Sequence, residues 1–390
     1  MKIAWLLTAL CLPLLAFAAD IRVDADFPGG NISVQRIESN TVFVAPDLRD
    51  TSGWWFYWNF RLRAPAEQPV TIVFTEKNPI GVRGPAMSLD SGMTWQWLGT
   101  NIVHHFQHND KPAWSFVARV PAGQTEVRYA FTPQYLESHL HAWLDQHKNN
   151  PALRVEQLCR SRQGRPVELV HVGTGGNVVL LTSRHHCCET MANYALEGFL
   201  DVALTSRWEV IAVPFMDKDG CESGDQGKNR RPYDHNRDYN DQPLYPEVAA
   251  LMKLGAALTN CVVATFDLHC PAIRGEWNDR VYFVGAAAAS FWQKEQAFAR
   301  VLARVQRGPI KFREQDCLKF GTAWNTADNF RQGRSSAAWA HATFPEARLV
   351  AGMEIAYADA LGVEVNAANA RAFGRDLARA LAEYLAINKQ

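Results

Sequence analysis

A chain of 390 residues exceeds one ordinary domain, so two are expected, and a hydrophobic content of 47% is ample for a core in each. Basic and acidic side chains balance at 40 each with no run of one sign. That balance removes support for nucleic acid as a partner, because such binding faces are strongly basic.

The first segment reads as a signal peptide over 1–18. Met1-Lys2 gives a short positive start, an apolar run follows from Ile3 to about Phe17, and Ala16-Phe17-Ala18 offers small residues for cleavage before Ala19. The run is shorter than the roughly 20 residues that span a bilayer. Leu10 is bulky where a lipoprotein signal ahead of Cys11 needs a small residue. The mature protein is therefore expected to be exported, periplasmic or secreted, with no membrane attachment. Of eight cysteines, seven remain after Cys11 is removed. Exported proteins form disulfides, but the pairing cannot be read from the sequence.

From 19 to 135 short aromatic and alternating runs are separated by Gly, Pro and Asn. Examples are Trp54 to Trp58, Val70 to Phe74 and Trp114 to Val117. They predict an all-β sandwich whose bulky residues form its core. Leu136, Leu140 and Leu144 then fall on one helical face, which predicts a helical linker over 136–150, ended by Asn149-Asn150-Pro151.

The remainder, 151–390, alternates strands and helices. Strands are expected at 167–172, 178–182, 210–215, 261–268, 281–284 and 349–355, and helices at 189–204, 247–258, 290–305 and 367–387. The class is α/β, with a mixed, largely parallel sheet flanked by helices and preceded by the β-sandwich. Gly173-Thr174-Gly175-Gly176 precedes another strand rather than a helix, so it is a turn and not a phosphate loop.

Chemistry concentrates in four clusters. Arg184-His185-His186-Cys187-Cys188-Glu189 follows the 178–182 strand, and His186 and Glu189, three apart at a strand-to-helix turn, can converge on one point. An imidazole and a carboxylate suit Zn²⁺, whose catalytic sites commonly take two histidines and a glutamate. His269 closes the 261–268 strand and supplies the third donor. Asp267, on the same side of that strand, is either a partner to a ligand or a capping residue. In Asp234-His235-Asn236-Arg237, preceded by Arg230-Arg231, an arginine fork beside an amide suits a carboxylate. Glu354 is a carboxylate inside an apolar strand, which suits a general base with a raised pKa.

In this order the clusters resemble the zinc carboxypeptidase family over about 151–390: H-x-x-E, then N-R, then a lone His after a strand, then a Glu near the C-terminus. The preceding segment, with Trp54 to Trp58 and Gly84-Pro85 to Trp97, is similar to the N-terminal domain of the cytosolic-carboxypeptidase-like branch. The resemblance implies one zinc ion on His186, Glu189 and His269. It implies Asn236 and Arg237, with Arg231 nearby, as holders of a terminal carboxylate. Glu354 would activate water, and Arg230, or in second place Arg231, would polarise the scissile carbonyl. The implied function is hydrolysis of the amide bond of a peptide's C-terminal amino acid.

Three features depart from the family pattern. Cys187-Cys188 replace residues that are often Pro and Gly there, and His185 with Cys188 offers an alternative ligand pair. Asp217-Lys218-Asp219-Gly220 stands where Asn-Pro-Asp-Gly is familiar. No tyrosine lies between Tyr282 and Tyr357. A zinc amidase or deacylase acting on a small N-acyl amino acid or cell-wall peptide is the alternative enzyme, and a non-catalytic peptide-binding protein is the alternative from another class. For the pocket, Trp324, Arg331, Arg334, Trp339 and Arg348 are candidates, and three arginines there predict a preference for an acidic terminal residue.

Overall fold

Strands Val178–Ser183, Val262–His269 and Leu349–Glu354 are nearly continuous apolar runs rather than alternating ones, and a strand of that composition must be covered on both faces. They form the centre of a seven-stranded sheet in the computed structural model, which describes residues 21–387. The signal segment expected over 1–18 lies outside the described residues.

Across this sheet the order is Leu153–Arg160, Pro166–Val172, Glu209–Val213, Val178–Ser183, Val262–His269, Leu349–Glu354, Tyr282–Val284. The four strands from Glu209–Val213 to Leu349–Glu354 are parallel. The outer pairings are antiparallel, so the sheet is mixed, with its parallel part confined to the centre. A short turn over 161–165 leaves the first two strands no other arrangement, since a parallel return needs a long crossover. Leu153–Arg160 carries mostly exposed polar residues, and no strand is expected there from apolar pattern alone. Helices Met191–Ala203, Pro246–Ala257, Ala289–Val305 and Ala367–Ile387 follow the expected ones within a few residues. Helix Ser336–Thr343 was not expected.

Residues 22–130 form two five-stranded sheets. Their inner faces close on stacked and tilted aromatics, with Trp58 within 6.1 Å of the ring centres of Phe60, Phe74 and Phe116. Phe56, Tyr57 and Trp58 are core, as expected, but 54–58 is not a strand: the ladder begins at Asn59. Helix Glu137–His147 then leads into the α/β part. One hydrophobic core runs through both parts, and the rings of Phe56 and Phe131 pack at 5.7 and 5.2 Å on Tyr357, three residues past Glu354. Among the described residues no helix is long and apolar enough to cross a membrane.

Parallel register decides what meets at the C-terminal edge of the sheet. Thr182 stands opposite Asp267, and His269 opposite Glu354. Loops leaving such an edge are where sites form in sheets of this kind.

Candidate metal centre and active-site cavity

The loop after Val178–Ser183 turns sharply at Arg184, a non-glycine residue with φ 62°. Its buried guanidinium explains how that conformation is held. Nε donates to Cys187 O at 2.8 Å, and Nη1 donates to Tyr135 O at 2.8 Å and to Asn193 Oδ1 at 3.0 Å. The loop is thereby wrapped around an internal cation, and it presents His186 and Glu189 together.

His186 Nδ1 lies 2.8 Å from Glu189 Oε1, and His269 Nδ1 lies 2.7 Å from Glu189 Oε2. The donor atoms of the three residues fall within 4.8 Å of one another, and all three are buried. Burial pushes the Glu189 carboxyl up, but the two imidazoles outweigh it and hold the group well below the ordinary carboxylate range. Each imidazole also faces a carboxylate with its far nitrogen. His269 Nε2 is 2.8 Å from Asp267 Oδ2, and His186 Nε2 is 3.5 Å from Asp234 Oδ1. Two nitrogens and a carboxylate, each imidazole oriented from behind, are the donor set and support that a Zn²⁺ site requires. The residues fit the ion.

A second trio, His185, Asp267 and His269, is equally close. Its donors are committed elsewhere: His185 contacts Asp267 Oδ1 at 2.8 Å and Tyr239 Oη at 2.6 Å, and Asp267 accepts from Thr182 Oγ1 at 2.9 Å and Ser336 Oγ at 2.8 Å. His185 therefore supports Asp267, which supports His269. Cys188 is no ligand either, since its Sγ contacts Tyr357 Oη at 3.5 Å and burial lifts its thiol to about 12. All seven cysteines of the described residues are free thiols.

A cavity of about 520 Å³ opens on the metal centre. His186, His269, Glu354, Asn236, Arg237 and Lys228 all line it. Glu354 Oε2 is buried with no hydrogen-bond partner. Burial raises this carboxyl to about 7, with His269 acting in the opposite direction. Asn236 is oriented by the Ser336 N–H, which donates to its Oδ1 at 2.9 Å and leaves Nδ2 toward His269 at 3.4 Å. Arg237, also buried, donates to Asn236 O at 2.8 Å and Asn329 O at 2.9 Å, with the Phe330 ring centre 5.0 Å from its guanidinium.

Two expectations need correction. Arg230 does not line the cavity: its guanidinium donates to Asp50 Oδ2 at 2.6 Å, Asp217 Oδ2 at 2.7 Å and Asp225 Oδ2 at 3.2 Å. Three carboxylates hold it away from the metal centre. Arg231 is exposed, its backbone tied to Asp50 O at 3.1 Å, and it does not line the cavity either. The basic group there is Lys228, whose Nζ lies 3.3 Å from His186 Nδ1 and 3.8 Å from Glu189 Oε1. The sequence shows this lysine two residues from the arginine expected in the role, but only the loop's anchors reveal which of them faces inward.

The pocket candidates also divide. Trp324 and Arg334 line the cavity. Arg331 instead pairs with Asp328 at 2.7 Å, Trp339 packs on Tyr239 at 5.2 Å, and Arg348 donates to Leu385 O at 3.2 Å. With two of the three arginines elsewhere, the basis for an acidic preference is lost. Where no tyrosine occurs in sequence, the wall is Phe320, Trp324 and Phe330.

No family model matches the chain. An uncharacterized protein of Zymomonas mobilis, ZMO1242, is 23% identical over 237 residues, and that match spans 56% of this chain but only 59% of the relative's length. Among solved structures, a metallo-carboxypeptidase from Burkholderia cenocepacia superposes with a TM-score of 0.75 at 19% identity, covering 94% of this chain and 100% of that one. A metallo-carboxypeptidase from Pseudomonas aeruginosa, in complex with (2-guanidinoethylmercapto)succinic acid, gives 0.69 at 17% identity, covering 94% and 99%. The chain thus has the metallo-carboxypeptidase fold, and the likeness extends over the N-terminal sheets as well as the α/β part.

Proposed function

We propose that this chain is a zinc-dependent metallocarboxypeptidase that removes the C-terminal amino acid of a peptide. The observation carrying this reading is the meeting, in one cavity, of a His-Glu-His donor set, an unpartnered carboxylate and a buried arginine beside an amide.

When bound at His186, Glu189 and His269, zinc would lower the pKa of water and polarise a carbonyl. This chain's residues do the rest. Arg237 and Asn236 grip the substrate's terminal carboxylate, a role suited to the planar guanidinium fork. That grip sets which amide bond reaches the metal centre. Glu354 takes the proton of the attacking water at its free Oε2 and gives it to the leaving amine. Lys228 places its ammonium where negative charge develops on the scissile carbonyl oxygen.

The ligand of the Pseudomonas protein joins a succinic acid to a guanidino group. Its carboxylates would suit the metal and Arg237 here, but its cation would find little to pair with. The carboxylates of this cavity, Glu354 and Asp267, stand at its metal end, and the outer wall includes Val284, Ala286, Phe320, Trp324 and Phe330. Asn325 Nδ2 is taken up by Gly285 O at 2.9 Å and Leu318 O at 3.1 Å. An apolar or aromatic terminal side chain fits that wall best.

Export, with cleavage before Ala19, is proposed from the N-terminal residues alone. The proposed organisation is a β-sandwich domain at 19–135, a helical linker at 136–150 and a catalytic domain at 151–390. The mechanism is tested with Glu354→Gln, which should keep zinc and lose turnover by about 100-fold or more. A variant that keeps both zinc and full activity overturns it.

A further inference from the structure

Lys228 sits at the apex of a turn whose two feet stand in the N-terminal sheet region. It is flanked by Gly227 with φ 72° and Asn229 with φ 49°, and two left-handed residues reverse the chain on either side of it. A Cβ at Gly227 would lie 2.4 Å from Cys187 N, so only glycine lets the turn rest against the loop bearing His186.

On one side, Gln226 is wholly buried and acts like a missing strand. Its Oε1 accepts the Tyr57 N–H at 2.7 Å, and its Nε2 donates to Tyr57 O at 2.9 Å. Both backbone groups of Tyr57 are thereby paired within a stretch, 54–58, that has no ladder. On the other side, Arg230 pairs with Asp50, the Ser52 N–H donates to Asn229 O at 2.9 Å, and the Arg231 N–H donates to Asp50 O at 3.1 Å. Residues 226 and 230 are thus both held by the segment 47–57, and Lys228 lies midway, facing the metal centre.

We infer that the segment 47–57 belongs to the catalytic apparatus: Asp50 and the Tyr57 backbone, acting through Arg230 and Gln226, are positioning elements that present Lys228 to the scissile carbonyl. The catalytic side of this inference rests on the function proposed above. A buried amide bonded to both the N–H and the C=O of one residue is costly to remove, because its partners are left unpaired. The β-sandwich is then no separable appendage, since without it the loop loses its Gln226 anchor and one of the three carboxylates that hold Arg230.

The experiment uses the full-length zinc-loaded protein with Gln226→Leu and the milder Asp50→Asn, each alone and combined with Lys228→Met. Amide hydrogen exchange of 225–231 should quicken in both single variants while the central strands keep their protection. Turnover should fall about 10- to 100-fold in kcat with KM little changed. In the Lys228→Met background neither substitution should cost more than about twofold further, because the residue they position is gone. Unchanged exchange in 225–231, or a loss of kcat just as large without Lys228, overturns the inference. If the wild-type protein cleaves no peptide, the proposed function fails by itself and the cycle is read on zinc affinity. Freeing or deleting an ammonium 3.8 Å from Glu189 should tighten zinc binding. No tightening in the single variants overturns the positioning role there too.

Discussion

His269 and Glu354 stand directly opposite each other on adjacent parallel strands, at the last residue of each. The proposed metal donor and the carboxylate proposed to handle the proton are thereby placed by sheet register rather than by a loop. Slipping either strand by one residue would turn its own side chain to the opposite face and part the pair, so a functional edge of this kind is strongly specified.

Metal removal is the first consequence. Dialysis against a chelator should abolish activity and lower Tm, and added Zn²⁺ should restore both, since an ion held only by the folded state stabilises it by mass action. His186→Ala or His269→Ala should remove the metal response of Tm. A melting curve indifferent to chelator and zinc would contradict the assignment of the donor set.

Arg237 should govern binding rather than chemistry. Arg237→Ala should raise KM for a free-acid peptide by about 10-fold or more, with a smaller effect on kcat. Lysine should rescue poorly, because it lacks the two-pronged guanidinium. Steady-state kinetics of the two variants decide this, and an unchanged KM would place the terminal carboxylate elsewhere.

The apolar outer wall makes a prediction about the residue released. Peptides ending in Phe or Leu should be cut with kcat/KM about 10-fold or more above those ending in Lys or Glu, because a buried charge without a partner is penalised. A panel differing only in the last residue measures it. Preference for Lys or Glu would mean that Arg334 or an unassigned acidic group governs the pocket.

Glu295 offers a test away from catalysis. It is buried on helix Ala289–Val305, accepts the Ala286 N–H at 3.0 Å, and burial lifts its carboxyl from 4.5 to about 8. A raised folded-state pKa means that its contribution to stability is fully present below about 4.5 and lost as pH rises through about 8. Glu295→Gln keeps the acceptor and removes the charge. The variant should therefore gain on wild type as pH rises, by up to about 4 kcal/mol at pH 9, and the gain should vanish toward pH 4.5. Denaturant melts across that range are the measurement, and a pH-independent difference would contradict it.

Much of the site could be read from residues because its parts sit at strand ends. His186, Glu189, His269 and Glu354 each follow or close an apolar run, and period and length locate such runs well. The same logic failed for the loop 217–231. There, Arg230 is held by Asp217 and Asp225 of the same loop and by Asp50, a residue 180 positions away, and Gln226, two residues before Lys228, is bonded to the Tyr57 backbone. No local pattern encodes the contacts with Asp50 and Tyr57. Strand Leu153–Arg160 escaped for a related reason: it is an exposed edge held by its partner's hydrogen bonds, with little apolar signal of its own.

The central claim is tested most directly by mass spectrometry of one peptide offered in two forms, with a free or an amidated C-terminus, incubated with the zinc-loaded protein with and without chelator. Loss of a single terminal residue from the free-acid form alone, stopped by chelator, is the predicted result. No loss from either form, or equal cleavage of the amidated peptide, would contradict it.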